Sequence, residues 1–208
     1  MTTPLSRRPV AQPTGLGILL TSICAILSLA FPARAQEAVL NLDPAHTEIH
    51  FTLGSTFHTV HGIFKLKSGE IHFESSTGKA SGSIVVDATS GDSDNKGRDK
   101  KMHQEILESP KFGEIVFTAN TVKGSLASQG ASQVQLSGVF RLHGQDHEMT
   151  LTASVVSTGA RLQATTHFSI PYVKWGLKNP STFLLHADDT VDIDIQASGE
   201  LATASAHQ

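Results

Sequence analysis

Eleven histidines stand in a chain of 208 residues that has one cysteine, and they are the first residues to weigh for chemistry. His46 and His50 are four apart, His58 and His61 three apart, and His143 and His147 flank a glycine turn across which they can meet. With Cys24 lying in an N-terminal apolar run, a metal centre in the rest of the chain needs three or more converging histidines or carboxylates. The alternation described below instead puts His50, His72, His143 and His167 on polar faces, as solvated residues. Asp43 and His46 have the spacing of an acid–base dyad, and equally that of an Asx turn ahead of Pro44. No G-x-S-x-G nucleophile elbow occurs. Arg98 and Asp99 fall in the first turn of an expected helix, where Asp99 complements the helix dipole. Two readings of Arg98 stand side by side. Its guanidinium can meet phosphate or carbonyl oxygens of a polar head group, or it can form an ion pair that pins the helix in place.

The elements that must position these groups begin after the first 35 residues. Arg7 and Arg8 precede an apolar run from Leu16 to Ala30, which ends at Ala33-Arg34-Ala35. A charged start, a short apolar stretch and an A-x-A site are the parts of a cleaved export signal. The expected organisation is therefore a signal peptide over 1–35 and one exported domain over 36–208; the resemblance given below implies that its location is the periplasm. Cleavage removes Arg7, Arg8 and Arg34 and no acid, so 13 bases face 19 acids and the net charge becomes −6. A chain this acidic has no general electrostatic claim on nucleic acid or anionic lipid. The 173 residues that remain contain no cysteine, so stability must come from a packed core, for which that length suffices.

Period-two alternation runs through most of those residues. Ile49, Phe51 and Leu53 share one face, opposite Glu48, His50 and Thr52. The same pattern recurs with Ile84 and Val86, with Ile115 and Phe117, and with Leu136, Phe140 and Leu142. It continues with Met149, Leu151 and Val155, with Leu162, Phe168 and Ile170, and with Val191, Ile193 and Ile195. One segment changes phase: Phe64 and Leu66 are even-numbered, whereas Ile71 and Phe73 are odd. A glycine bulge near Ser68-Gly69 in one long bent strand absorbs the slip. Gly144-Gln145-Asp146 reads as a hairpin connection, and Ser128-Gln129-Gly130 and Ser157-Thr158-Gly159 as further turns. The β pattern breaks twice. Asp94 and Asn95 can cap a helix over about 95–108, with Met102 and Ile106 on one face and Pro110 past its end. Pro171–Phe183 is irregular and holds the only tryptophan, Trp175.

One-sided apolar strands of this number are the pattern of an all-β, antiparallel, lipocalin-like barrel of about eight strands with one short helix. The polar outer faces are those of a soluble barrel and the inverse of a membrane barrel. Phe51, Leu53, Phe64, Leu66, Phe73, Phe117, Phe140 and Phe168 belong to the inward set. They either fill the interior or line a cavity for one chain-like apolar ligand. Met102 on the helix, Arg98 at the mouth and Trp175 over one end complete the candidate site, although Trp175 serves equally as a plug of the core.

Several segments resemble the YceI family. Leu42-Asp43-Pro44-Ala45-His46-Thr47 is similar to its "hDPAHS" opening, and Val60-His61-Gly62-Ile63-Phe64 to its "vHGxF" motif. Arg98-Asp99 through His103, followed by Ile106-Leu107-Glu108 and by Phe112 to Phe117, resembles its helix opening on "RD" and the strand after it. Leu142–His147 is similar to its hairpin, and Pro171–Ser181 to the "PYVxWGxKxPS" stretch of one subfamily. Gly113 stands where the family usually has proline, and the common "RxdFG" signature is absent. The resemblance implies an exported barrel that sequesters a long isoprenoid, a quinone or polyprenyl lipid, and no enzymatic activity. It implies no cofactor beyond such a non-covalently held lipid, no nucleic-acid partner, no stable membrane insertion after cleavage, and a monomer or homodimer. The competing reading is a histidine-rich periplasmic protein that binds metal or responds to pH near 6.5.

Overall fold

A computed structural model of the chain describes residues 37–203. The expected signal peptide and Cys24 lie outside the described residues. Nine strands run in chain order: β1 (Glu37–Leu42), β2 (Glu48–Leu53), β3 (Val60–Glu74), β4 (Lys79–Asp92), β5 (Glu114–Lys123), β6 (Gln129–Leu142), β7 (Gln145–Thr158), β8 (Arg161–Ile170) and β9 (Val191–Thr203). Every pairing between neighbours is antiparallel. Because β3 pairs with β4 as well, the sheet closes on itself, which leaves no open edge.

Nine strands occupy eight places around the barrel. β1 and β2 both lie between β3 and β9, one above the other. They are a single staff broken by a 3₁₀ turn at Pro44–His46. The break follows from Asp43-Pro44: proline supplies no N–H to the ladder, and Asp43 Oδ1 accepts from the Ala45 N–H at 2.8 Å. This is the Asx turn that the spacing suggests.

The phase change in β3 is a bulge within one continuous strand. Leu66 faces Val86 and Ser68 faces Val85, so Lys67 is the extra residue. A second, wider irregularity lies in β4, between the Asp87 and Asp92 registers. There Ser90 Oγ accepts from the Lys65 N–H at 2.8 Å and donates to the Asp87 carbonyl at 2.6 Å.

The helix differs from the regular one expected over 95–108. Asn95 Oδ1 caps it by accepting from the Arg98 N–H at 3.0 Å, and α1 runs over Lys96–Lys101. It then widens into a π turn over Met102–Ile106, where the Leu107 N–H reaches the Met102 carbonyl at 2.8 Å. The cause is visible at His103, whose ring nitrogens lie 2.9 Å from Ser109 Oγ and 2.9 Å from the Gly91 carbonyl. Holding this side chain on β4 stretches the turn, and Met102, Ile106 and Leu107 all face the core.

The β6–β7 hairpin is also tighter than expected. Its turn is His143-Gly144 alone, with φ of 52° and 74°, as a two-residue type I′ turn requires. Gln145 and Asp146 already pair with Leu142 and Arg141. The expected inward set forms one core: Phe51, Leu66, Phe117, Phe140 and Leu151 are buried, with Leu53, Phe64, Phe73 and Phe168 packed against it.

Candidate functional site

Two apolar cavities lie inside the barrel, and no residue lines both. The larger, about 460 Å³, is at the helix end. Phe51, Phe64 and Ile193 line it from the walls, together with Leu53, Val60, Ile115, Leu142, Ile170 and Val191. Met102, Ile106 and Leu107 cover it from the helix side, and Tyr172, Leu177, Leu185 and Ala187 from the segment between β8 and β9. Exposed His58, Gly97 and Thr182 mark the mouth. The smaller, about 160 Å³, is at the far end, among Leu40, Ile49, Leu66, Ile71 and Phe73.

Phe117, Phe140 and Phe168 line neither cavity. They sit at the level between the two, since in each of their strands the larger cavity's residues lie to one side and the smaller one's to the other. Phe140 meets Phe168 edge-on at 6.4 Å, and Phe51 meets Phe64 at 5.4 Å. Phe117, Phe140 and Phe168 thus form an aromatic waist, next to the Phe51–Phe64 pair of the larger cavity's wall. Gly62 makes room for that pair, because a Cβ there would lie 2.4 Å from the Phe51 ring.

Of the residues singled out in the sequence, Phe51, Leu53, Phe64, Arg98 and Met102 therefore border the larger cavity, and Leu66 and Phe73 the smaller. These residues are thus divided between two cavities. Trp175 covers neither of them. Its indole stacks on the His147 ring at 3.9 Å and 6° and lies 5.8 Å from Phe140, against the core. Tyr172 and Leu177 from the same stretch do reach the larger cavity. An irregular segment has no period from which to read which side chains turn inward. Ile115, Leu142, Ile170 and Ile193 carried the right parity, and only their height along the barrel was missing.

Charge is confined to the mouth. Arg98 donates from Nε to Ser93 Oγ at 2.7 Å and from Nη2 to the Ser93 carbonyl at 2.6 Å. Asp99 Oδ1 accepts from the Ser93 N–H at 3.0 Å and from its hydroxyl. Arg98 and Asp99 thus grip the same serine rather than each other, which pins α1 to the end of β4 and leaves the guanidinium on the cavity border. Lys101 Nζ donates to the Pro180 carbonyl at 3.0 Å and ties the helix to the β8–β9 segment. That segment is held from within. The Tyr172 hydroxyl donates to the Asp188 carbonyl at 2.6 Å, and burial, then the charges of Asp189 and Asp188, push its pKa up to about 12. Asn179 Nδ2 donates to the Ala187 carbonyl and to Asp189 Oδ1.

Three histidines pair singly with carboxylates, His50 with Glu48, His143 with Glu108 and His167 with Asp194, and His72 lies between two, Glu37 and Glu70. His143 and His147 do not meet, since His143 packs on Phe112 and His147 on Trp175. Among the described residues no group of three or more His, Cys, Asp or Glu converges on one point. Asp43 and His46 do pair at 2.7 Å, on an exposed turn, and the histidine holds the carboxyl below its usual range.

Residues 40–198 match the family model described as the YceI-like domain. The chain belongs to the YceI-like family. A UPF0312 protein of Vibrio campbellii is 29% identical over 144 residues, which cover 67% of this chain and 73% of that protein. One of Vibrio vulnificus is 28% identical over 147 residues, covering 68% and 75%. Among solved structures, Burkholderia cenocepacia BcnA superposes with a TM-score of 0.63 at 15% identity, covering 78% of this chain and 99% of that one. A polyisoprenoid binding domain from Saccharophagus degradans gives 0.59 at 15% identity, covering 78% and 98%. At these identities the structural likeness speaks for the YceI-like barrel fold alone.

Proposed function

We propose that this protein is an exported lipid-binding barrel that holds an isoprenoid, a quinone or polyprenyl lipid, with the tail in the larger cavity and the polar head beside Arg98. The observation that carries the reading is the lining of that cavity: carbon nearly throughout, with the cations Arg98 and Lys101 only at its mouth. Each buried CH₂ of a tail contributes roughly 0.8 kcal/mol, offset in part by ordering of the chain. The remaining donors of the guanidinium suit phosphate or quinone oxygens. The polyisoprenoid-binding name of one structural relative supports the same ligand class. The charged start, apolar run and A-x-A site support export, with a mature chain beginning at Gln36.

The test is native mass spectrometry of the protein taken from its own periplasm, with lipid analysis of whatever it releases. A discrete extra mass that proves to be an isoprenoid is the expected result. Bare protein that also fails to take up added ubiquinone or polyprenyl phosphate sinks the reading.

A further inference from the structure

Five large apolar side chains are exposed among the described residues, and three of them stand together at one place. Phe57 is 72% exposed, Phe183 fully and Leu184 76%. Phe57 is in the β2–β3 loop, and Phe183 and Leu184 are in the β8–β9 segment. These two loops are stitched to each other: Ser55 bridges Ala187, the Thr56 N–H donates to the His186 carbonyl at 2.9 Å, and Thr56 Oγ1 donates to that carbonyl at 3.2 Å. The same loops supply Ser55, His58, Thr182 and Leu185 to the mouth of the larger cavity. An exposed apolar patch at a cavity mouth marks an interaction site rather than a chance surface. Phenylalanine and leucine turned outward here have no role in the core.

Position points to what covers the patch. The rim is mixed in charge: Lys96 and Lys100 are exposed, and so are Asp92, Asp94 and Glu105 beside them and Asp188 and Asp189 in the β8–β9 segment. Arg98 and Lys101 are engaged with Ser93 and Pro180. The apolar tips stand at the mouth of a cavity lined almost wholly by carbon, the pattern of a surface that seats in the headgroup layer of a bilayer.

We infer that the rim formed by Phe57, Phe183 and Leu184 docks reversibly on a lipid bilayer, so that the cavity opens toward the membrane. The inference builds on the lipid-binding reading, because a water-insoluble tail must leave a bilayer to enter the cavity. Seated this way, the tail slides from acyl chains into the mouth without crossing water.

The experiment is co-flotation of the protein with phosphatidylcholine vesicles containing phosphatidylglycerol, for wild type and for the F57S/F183S/L184S variant. The wild type is expected to float, and the variant to lose tenfold or more of the bound fraction, with both taking up ubiquinone equally from detergent. Phe183→Trp locates the contact. Its emission is expected to shift to the blue on vesicles and to be quenched by acyl chains brominated near the headgroup, against a wild type in which only Trp175 reports. Failure of the wild type to float, equal flotation of the variant, or an unquenched Trp at 183 overturns docking through this rim. Flotation that depends on the rim in a protein that takes up no isoprenoid keeps the docking surface and removes the lipid-carrier reading instead.

Discussion

At Arg98 the binding and structural roles fall on one side chain. Two donors grip Ser93, and the guanidinium borders the cavity. Arg98→Ala leaves the part-buried Ser93 carbonyl without its partner, at a cost of about 1–3 kcal/mol. It also removes the cation from the mouth. Arg98→Lys keeps the charge and loses the two-point grip. The expected order of ubiquinone affinity is wild type, then lysine, then alanine, read by titration; alanine binding as tightly as wild type would assign Arg98 to structure alone. His72 makes a different prediction. Its Nε2 lies 2.8 Å from Glu70 and its Nδ1 3.1 Å from Glu37, and these carboxylates, Glu70 foremost, raise its pKa above 6.5. Since Val39 of β1 pairs with His72 of β3, the imidazolium ties the first strand down. A folded pKa above the unfolded one gives stability that is complete below pH 6.5 and lost as pH rises through the folded value. Asp43, Asp87 and Asp146 act in the opposite sense. Their folded pKa values are lowered by hydrogen bonds from His46, Thr89 and Arg141 respectively, so their contributions fade as pH falls through those values. In thermal melts, His72→Gln is expected to be less stable than wild type at about pH 6 and to converge with it by about pH 8.5. A gap that stays constant with pH would mean that His72 acts through packing and not through charge.

The aromatic waist is a property of three strands at once. Phe117, Phe140 and Phe168 come from β5, β6 and β8, and none of them lines a cavity. In the described arrangement they stop a tail at the floor of the larger chamber. Phe168→Ala removes the ring that packs edge-on against Phe140. It is expected to join the two chambers, to cost about 3–5 kcal/mol of stability, and to shift preference toward longer prenyl tails. Uptake of prenyl alcohols of graded length measures this, and an unchanged length profile would show that the waist opens by itself when a ligand enters. Strand faces were legible in the sequence because period-two alternation decides inside from outside, and the β3 bulge followed from the parity of Phe64 and Leu66 against Ile71 and Phe73. Height along the barrel axis was not legible. It depends on strand stagger, which side-chain alternation does not encode, and so the waist and the two chambers emerged only from the fold. The π turn was hidden for a similar reason. Met102 and Ile106 are four apart and fit an α-helix, and only the anchoring of His103 to Gly91 and Ser109 adds the extra residue. For Trp175 an aperiodic segment gives no direction to the side chain, so cover and plug stood level until the fold packed it on Phe140 and His147, and Tyr172 and Leu177 went unmarked beside it.

For the molecule as a whole, the two ends differ in how they are held. Among the described residues the far end surrounds a small chamber with no helix over it, whereas the near end is roofed by α1, the π turn and the β8–β9 segment, joined to each other by Lys101 to Pro180. The barrel wall between them is a continuous ladder, and the roof is attached through Ser93, His103 and Lys101 and by side chains that border the cavity. A ligand that enters the larger cavity fills the space beneath that roof and touches Met102, Tyr172 and Leu177. Binding to the folded state alone stabilises it by about 2.7 kcal/mol at a hundredfold excess over Kd. For a domain of this size each kcal/mol raises Tm by roughly 2–4 °C, so saturation with ubiquinone is expected to raise Tm by about 5–10 °C. Hydrogen exchange should report where that energy goes. Protection should increase in α1, the π turn and residues 171–190, and stay unchanged across the β6–β7 pairing, which is already complete along its length. Protection gained instead at the far chamber, around Leu40 and Phe73, would place the tail below the waist and reverse the assignment of the two ends. A Tm that does not move would remove the ligand from the barrel altogether.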